Sequence, residues 1–276
     1  MTWRRSIRRR SVAPANVWHR SQQELRLFCI ALQFYTRIPI PEWVGFEPAW
    51  LQQATRYFPL VGWVVAGVTA AVYMAATWVW PQAVAVLLST ACGIYLTGAF
   101  HEDGFADMCD GMGGGNTPQR VLEIMKDSRI GAYGAIGIGL MLALKCLLLS
   151  SMPPDAVALA LSVAHPFSRS ASCAVIWRLD YARDEGKAKP LAQTMSDGEF
   201  ILALLTGCLP VLVVGVAGWL SWSSVAGCFM VVVPTTLWLA RKFKRRIGGY
   251  TGDCLGAAQQ AAEVGCYLAL LASFAR

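Results

Sequence analysis

Apolar runs of about 20 residues recur along this chain, near 58–78, 81–100, 132–150, 155–176, 200–220, 222–240 and 256–274. At ~1.5 Å of helical rise per residue, a run of that length matches the ~30 Å hydrocarbon core of a bilayer. The backbone must bond to itself there, which makes each run a helix. With 55% hydrophobic and only 15% charged residues, a soluble domain is excluded. The expected fold is therefore all-α, a polytopic integral membrane protein with about seven transmembrane helices. The chain divides into a flexible basic extension, 1–24, and a single transmembrane catalytic domain, 25–276. The apolar stretch 25–39 is too short to cross and ends at Pro39 and Pro41, so it reads as an interfacial amphipathic segment in contact with lipid.

The cations are placed as in a membrane protein. Nine of the 24 Lys and Arg lie in 1–57, three in 101–131, four in 178–198 and five in 241–252; the connections near 81, 151–155 and 221–224 carry none. The positive-inside rule puts the N-terminus and each glycine- and acid-rich loop in the cytoplasm. Topology thus accounts for the net charge of +7 without a nucleic-acid partner. The Arg-rich start lacks the short apolar stretch and cleavage site of a signal peptide, and anionic lipid is its expected contact. The nine cysteines form no CxxC pair and read as small buried hydrophobes.

Directly after the second apolar run, residues 101–115 read His-Glu-Asp-Gly-Phe-Ala-Asp-Met-Cys-Asp-Gly-Met-Gly-Gly-Gly. If the helix continues through them, Asp103, Asp107 and Asp110 fall at i, i+4 and i+7, within roughly 60° of arc. Like charges so placed repel, and an oxygen-only set of ligands suits Mg²⁺ between them. The following glycines, Gly113 and Gly114 among them, let backbone N–H groups approach phosphate oxygens. The reading is a metal–diphosphate site; the alternative is a solvated helix end with scattered acids.

Three further polar segments fall on the same side. In 123–134, Lys126 and Arg129 supply cations for a departing nucleotide phosphate, while Glu123 and Asp127 stand one turn apart; a charged helix end with internal ion pairs is the alternative. In 248–263, Thr251 or Asp253 can cap the next helix, and Asp253 is also a candidate metal ligand. Glu263 lies about three turns further on, where an ionised carboxylate marks a site. The mixed-charge loop 178–190 reads as a solvated connector. Within the spans, Arg169 either reaches a cytoplasmic phosphate or snorkels to the interface, Lys145 snorkels or pairs, and His165, before Pro166, marks a helix bend.

Phe100–Asp107 with Asp110-Gly111, then 125–134, then 249–253 with Gly256-Ala257, resemble three blocks of the cobalamin-5′-phosphate synthase family in their order. Residues 34–39 and 57–62 are similar to it too, so the likeness runs from about Leu25 to the C-terminus. The resemblance implies a Mg²⁺-dependent transferase of the bacterial cytoplasmic membrane that joins adenosylcobinamide-GDP and α-ribazole, or its 5′-phosphate, and releases GMP late in cobalamin biosynthesis. The metal set would be Asp103, Asp107 and Asp110. The catalytic candidates are Lys126, Asp127, Arg129 and Asp253, with Asp127 or Asp253 accepting the hydroxyl proton. His101, Gly113, Gly114, Arg169, Thr251 and Glu263 are the candidate substrate contacts. Whether the protein is a homo-oligomer, and which lower-ligand base it takes, is left open.

The nearest rival is a CDP-alcohol phosphotransferase, whose signature carries Arg where this chain has Asp107. A prenyltransferase of the aspartate-rich type ranks below it. A transporter would place its acids near the midplane of repeated halves, and no internal repeat is visible here.

Overall fold

The computed structural model describes residues 17–182 and 193–274. The first 16 residues of the basic extension, and 183–192 of the mixed-charge loop, lie outside the described residues. Within them the fold is helical: α1 (Val17–Tyr35), α2 (Pro48–Ala54), α3 (Phe58–Ala76), α4 (Gln82–Thr97), α5 (Phe100–Gly114), α6 (Pro118–Ile124), α7 (Ala132–Ser150), α8 (Pro154–Arg178), α9 (Asp197–Val216), α10 (Trp222–Ile247) and α11 (Gly252–Phe274). The strand-like exception is a single parallel bridge between Tyr181 and Tyr250, which ties the end of α8 to the start of α11.

α1 begins eight residues inside the stretch assigned to the extension. Its buried side chains Leu27, Ile30 and Ala31 follow helical spacing, while Leu25 and Phe34 stay exposed, so it is amphipathic as expected.

α8 and α11 form the centre. α8 packs on α3, α9 and α11, and α11 packs on α5, α8 and α10. Around them α7 and α9 turn apolar side chains outward: Ile136, Leu140 and Leu147, then Ile201, Leu205 and Val216, are all exposed. Outward apolar faces around an inner pair are what a lipid surround requires.

The expected count of seven spans is not matched. Among the described residues, four helical stretches are long and apolar enough to cross a membrane: Pro48–Ala76, Ala132–Ser150, Asp197–Val216 and Trp222–Ile247. The α4–α5 pair makes a fifth only if taken as one broken span. α8 and α11 have the length, 25 and 23 residues. They carry buried polar residues, from His165 and Arg169 to Gln259, Gln260 and Glu263.

The second apolar run also departs from expectation, because the helix does not continue into the acidic stretch. α4 stops at Thr97, and α5 leaves it at 88°. Two consecutive left-handed residues make the corner, Gly98 (φ 66°) and Ala99 (φ 59°). Glycine takes that conformation freely, whereas for alanine it costs about 1–2 kcal/mol. The Arg37 N–H bonds the Leu96 carbonyl at 2.8 Å, so the end of α1 braces the corner.

Candidate active site

α5 presents its acids side by side at one end of the bundle. Asp103 is exposed and Asp107 half-buried on the same face, one turn apart. The start of α11 closes on this helix at Gly104, where a Cβ would stand 3.0 Å from the Asp253 Cα, so only glycine allows the approach. Asp253 occupies the first turn of α11, where the helix dipole favours a carboxylate. Asp103, Asp107 and Asp253 therefore surround one junction between two helices.

Asp110 has another task. Its Oδ2 accepts the Gly131 N–H and its Oδ1 the Gly134 N–H, both at 2.7 Å, and a Cβ on Gly134 would overlap the carboxylate. Asp110 is buried and caps the first turn of α7, so each oxygen of this expected metal ligand accepts one backbone N–H. Among the described residues, no group of three or more His, Cys, Asp or Glu is arranged to hold a metal ion. The oxygen donors of Asp103, Asp107 and Asp253 fit a hard divalent cation in chemistry.

The glycine-rich tail does not form a phosphate cradle. Gly113 and Gly114 are the last residues of α5, a helix end that presents carbonyls rather than N–H groups. A Cβ on Gly113 would stand 2.5 Å from the Tyr133 ring, so this glycine serves the packing of α7. Arg246 of α10 donates to the Gly115 carbonyl just beyond.

Lys126, Asp127 and Arg129 lie exposed between α6 and α7. Arg129 grips Asp127 with two side-chain bonds, 3.0 and 2.7 Å, and its backbone N–H adds a third at 3.1 Å. These bonds lower the Asp127 carboxyl to about 2. A carboxylate so held is a poor proton acceptor near neutral pH. Thr251 is fully buried at the N-terminus of α11, and its hydroxyl donates to Asp253 Oδ2 at 3.1 Å. It orients Asp253 and has no surface for substrate.

Behind the acidic face lies a polar cluster that the sequence revealed only in part. Glu263 is 1% exposed, and its carboxylate is saturated: Oε1 pairs with Lys145 Nζ at 2.9 Å and accepts the Tyr267 hydroxyl at 3.1 Å. Its Oε2 accepts Gln259 Nε2 at 2.6 Å and lies 3.4 Å from His165 Nδ1. Lys145 also donates to Gln260 Oε1, and Gln260 Nε2 donates to Glu102 Oε1, each at 2.9 Å. One continuous clasp thus joins α5, α7 and α11. Pairing, the second option read for Lys145, is what occurs. Glu263 holds helices together and does not touch the acidic face.

Arg169 belongs to this interior too. It is 1% exposed, donates to the His165 carbonyl at 2.7 Å and stands 5.4 Å from the Phe58 ring centroid, so it does not snorkel. His101 stacks on the same Phe58 ring at 5.5 Å and is 2% exposed. These side chains line a polar cavity of about 20 Å³, the room of a single water. His101 Nε2, Glu102 Oε2, Arg169 Nε and Gln259 Oε1 have no protein partner there. The sequence signal for the cluster was the pair of opposite lone charges, Lys145 and Glu263, in separate apolar runs. Gln259 and Gln260 carry no such signal in the sequence.

The profile of the family described as cobalamin-5-phosphate synthase matches residues 27–271. Proteins named adenosylcobinamide-GDP ribazoletransferase are similar over most of their length. The one from Leptothrix cholodnii is 46% identical over 254 residues, 90% of this chain and 96% of its own. That from Ralstonia pickettii is 47% identical over 248 residues, 88% and 93% of the two chains. The Shewanella frigidimarina protein is 42% identical over 260 residues, 91% and 95%. No solved structure matches the chain.

Proposed function

The chain belongs to the cobalamin-5-phosphate synthase family, and from that membership we propose that it is a membrane transferase joining adenosylcobinamide-GDP to α-ribazole or α-ribazole 5′-phosphate. A hydroxyl oxygen of the riboside attacks the phosphorus on the cobinamide side, the bond from that phosphorus to the bridging oxygen breaks, and GMP leaves with that oxygen. The products are adenosylcobalamin, or its 5′-phosphate, and GMP. The observation that carries this reading is the junction at Gly104, where the acidic face of α5 meets Asp253 on α11.

Asp103 and Asp107 would hold a Mg²⁺ ion, which would supply charge to neutralise the diphosphate and the departing oxygen. Asp253, oriented by Thr251, is favoured over Asp127 as acceptor of the hydroxyl proton. Lys126 and Arg129, exposed beside the acidic face, would grip the nucleotide phosphate. The active site faces the cytoplasm of a bacterial inner membrane, because the cations concentrate in the segments at this end.

Incubating the purified protein in liposomes with adenosylcobinamide-GDP, α-ribazole phosphate and Mg²⁺ tests the proposal. GMP and the cobamide should appear in equal amounts, stop on chelation and return on adding Mg²⁺. GMP without cobamide, or neither product, would overturn it. Activity that survives chelation would remove the metal alone.

A further inference from the structure

Four aromatic rings meet within a turn of Asp253. Tyr35 at the end of α1 and Phe58 at the start of α3 stack with centroids 4.0 Å apart, at 23° between planes. Phe100, the first residue of α5, stands edge-on to Phe34 at 5.5 Å and to Tyr35 at 6.0 Å. With Ile176, Gly252 and Leu255 they line a cavity of about 50 Å³. Gly252, which lines it, is the residue immediately before Asp253. Five helices, α1, α3, α5, α8 and α11, build it, and the strained corner at Ala99 sets the direction in which Phe100 leaves.

The rings divide into a floor and a rim. Tyr35 and Phe58 are 5% and 2% exposed and fixed in the core, whereas Phe34 and Phe100 are 37% and 40% exposed. A buried stacked pair below two accessible rings is suited to a flat apolar guest held by its faces and edges. The cavity is shallower than a bicyclic ring system, so such a guest enters edge-first and keeps its substituent outside, at the Gly252 end.

From this juxtaposition we infer that the aromatic cavity is the subsite for the planar base of the riboside substrate. The inference rests on the transferase reading, and it adds where the nucleophilic substrate sits. With the edge of the base in the cavity, against the accessible rings of Phe34 and Phe100, the attached ribose lies against Gly252, and its hydroxyl is delivered to Asp253 on the adjoining residue. The cobinamide-bearing substrate then approaches from the open acidic face of α5. Selection among lower-ligand bases becomes a matter of ring shape, because the lining offers surface to stack on and few polar groups to read.

Phe34→Leu and Phe100→Leu test this, with Phe34→Tyr as the control that keeps a ring. Equilibrium dialysis of α-ribazole against protein in liposomes, without the second substrate, should show affinity reduced about fivefold or more in each Leu variant. Phe34→Tyr should bind like the parent. In the complete reaction the KM for the riboside should rise by the same factor, with the KM for adenosylcobinamide-GDP unchanged. Riboside affinity untouched by either Leu variant, or both KM values rising together, would overturn the subsite, and the rim rings would be lipid-facing. Binding with no transfer in the parent would instead defeat the transferase reading and leave the subsite standing.

Discussion

Asp103, Asp107 and Asp110 look equivalent in the sequence and are not equivalent in the fold. Asp110 spends both oxygens on the backbone N–H groups of Gly131 and Gly134, so Asp110→Asn leaves one of them facing an NH₂ group. That variant should lose about 1–3 kcal/mol of stability, read as a lower melting temperature in detergent. Asp103→Asn should melt like the parent, and Asp103→Asn and Asp107→Asn should each lower activity at least tenfold, a loss of about 1.4 kcal/mol of transition-state stabilisation or more. Equal melting temperatures for all three would refute the division. The two candidate bases separate by pH. The folded carboxyl of Asp127 is depressed to about 2, so its pairing with Arg129 is complete above the unfolded value of ~3.9 and fades only as pH falls through about 2. Asp127→Asn should therefore leave the kcat profile between about pH 5 and 8 unchanged in shape. Asp253→Asn should abolish turnover, and a surviving acid limb in that variant would reject Asp253 as the proton acceptor.

Single charges become meaningful once their helices are paired. Lys145 on α7 and Glu263 on α11 meet at 2.9 Å in the core, and removing one partner strands the other. Lys145→Met should cost about 3–5 kcal/mol, whereas adding Glu263→Met should recover part of the loss. A double variant no more stable than the single would place the defect in packing. Helix-scale features were legible from composition and periodicity, because apolar length and cation placement are local properties: α3, α7, α9 and α10 lie where the apolar runs do. The acids of α5 do share a face, as their spacing demands. The corner at Gly98–Ala99 was not legible, since the residues on either side favour a helix and only the brace from Arg37 reveals the turn. Thr251 was readable as a cap but not as the group orienting Asp253. The aromatic cavity was hidden because Phe34, Phe58 and Phe100 approach only through tertiary packing.

At the scale of the whole molecule, each component proposed for the site lies at one end of the bundle: the start of α3 and α11, the ends of α1 and α8, and all of α5. Cysteines introduced at exposed Asn116 and Lys244 in a cysteine-free protein should react only with reagent inside the cell, and those at Ser151 and Ser223 only from outside. Asn116 and Lys244 on opposite sides would dismantle the shared site. The buried clasp also constrains the order in which the chain becomes stable. Lys145 leaves the ribosome well before Glu263, the carboxylate that pairs with it, so a nascent chain holds an unmatched positive charge until α11 is made. Synthesis that stops before Gly252 should yield a product cleared by membrane proteases, and supplying α11 as a separate peptide should rescue it. α11 thereby acts as a checkpoint on the helices made before it.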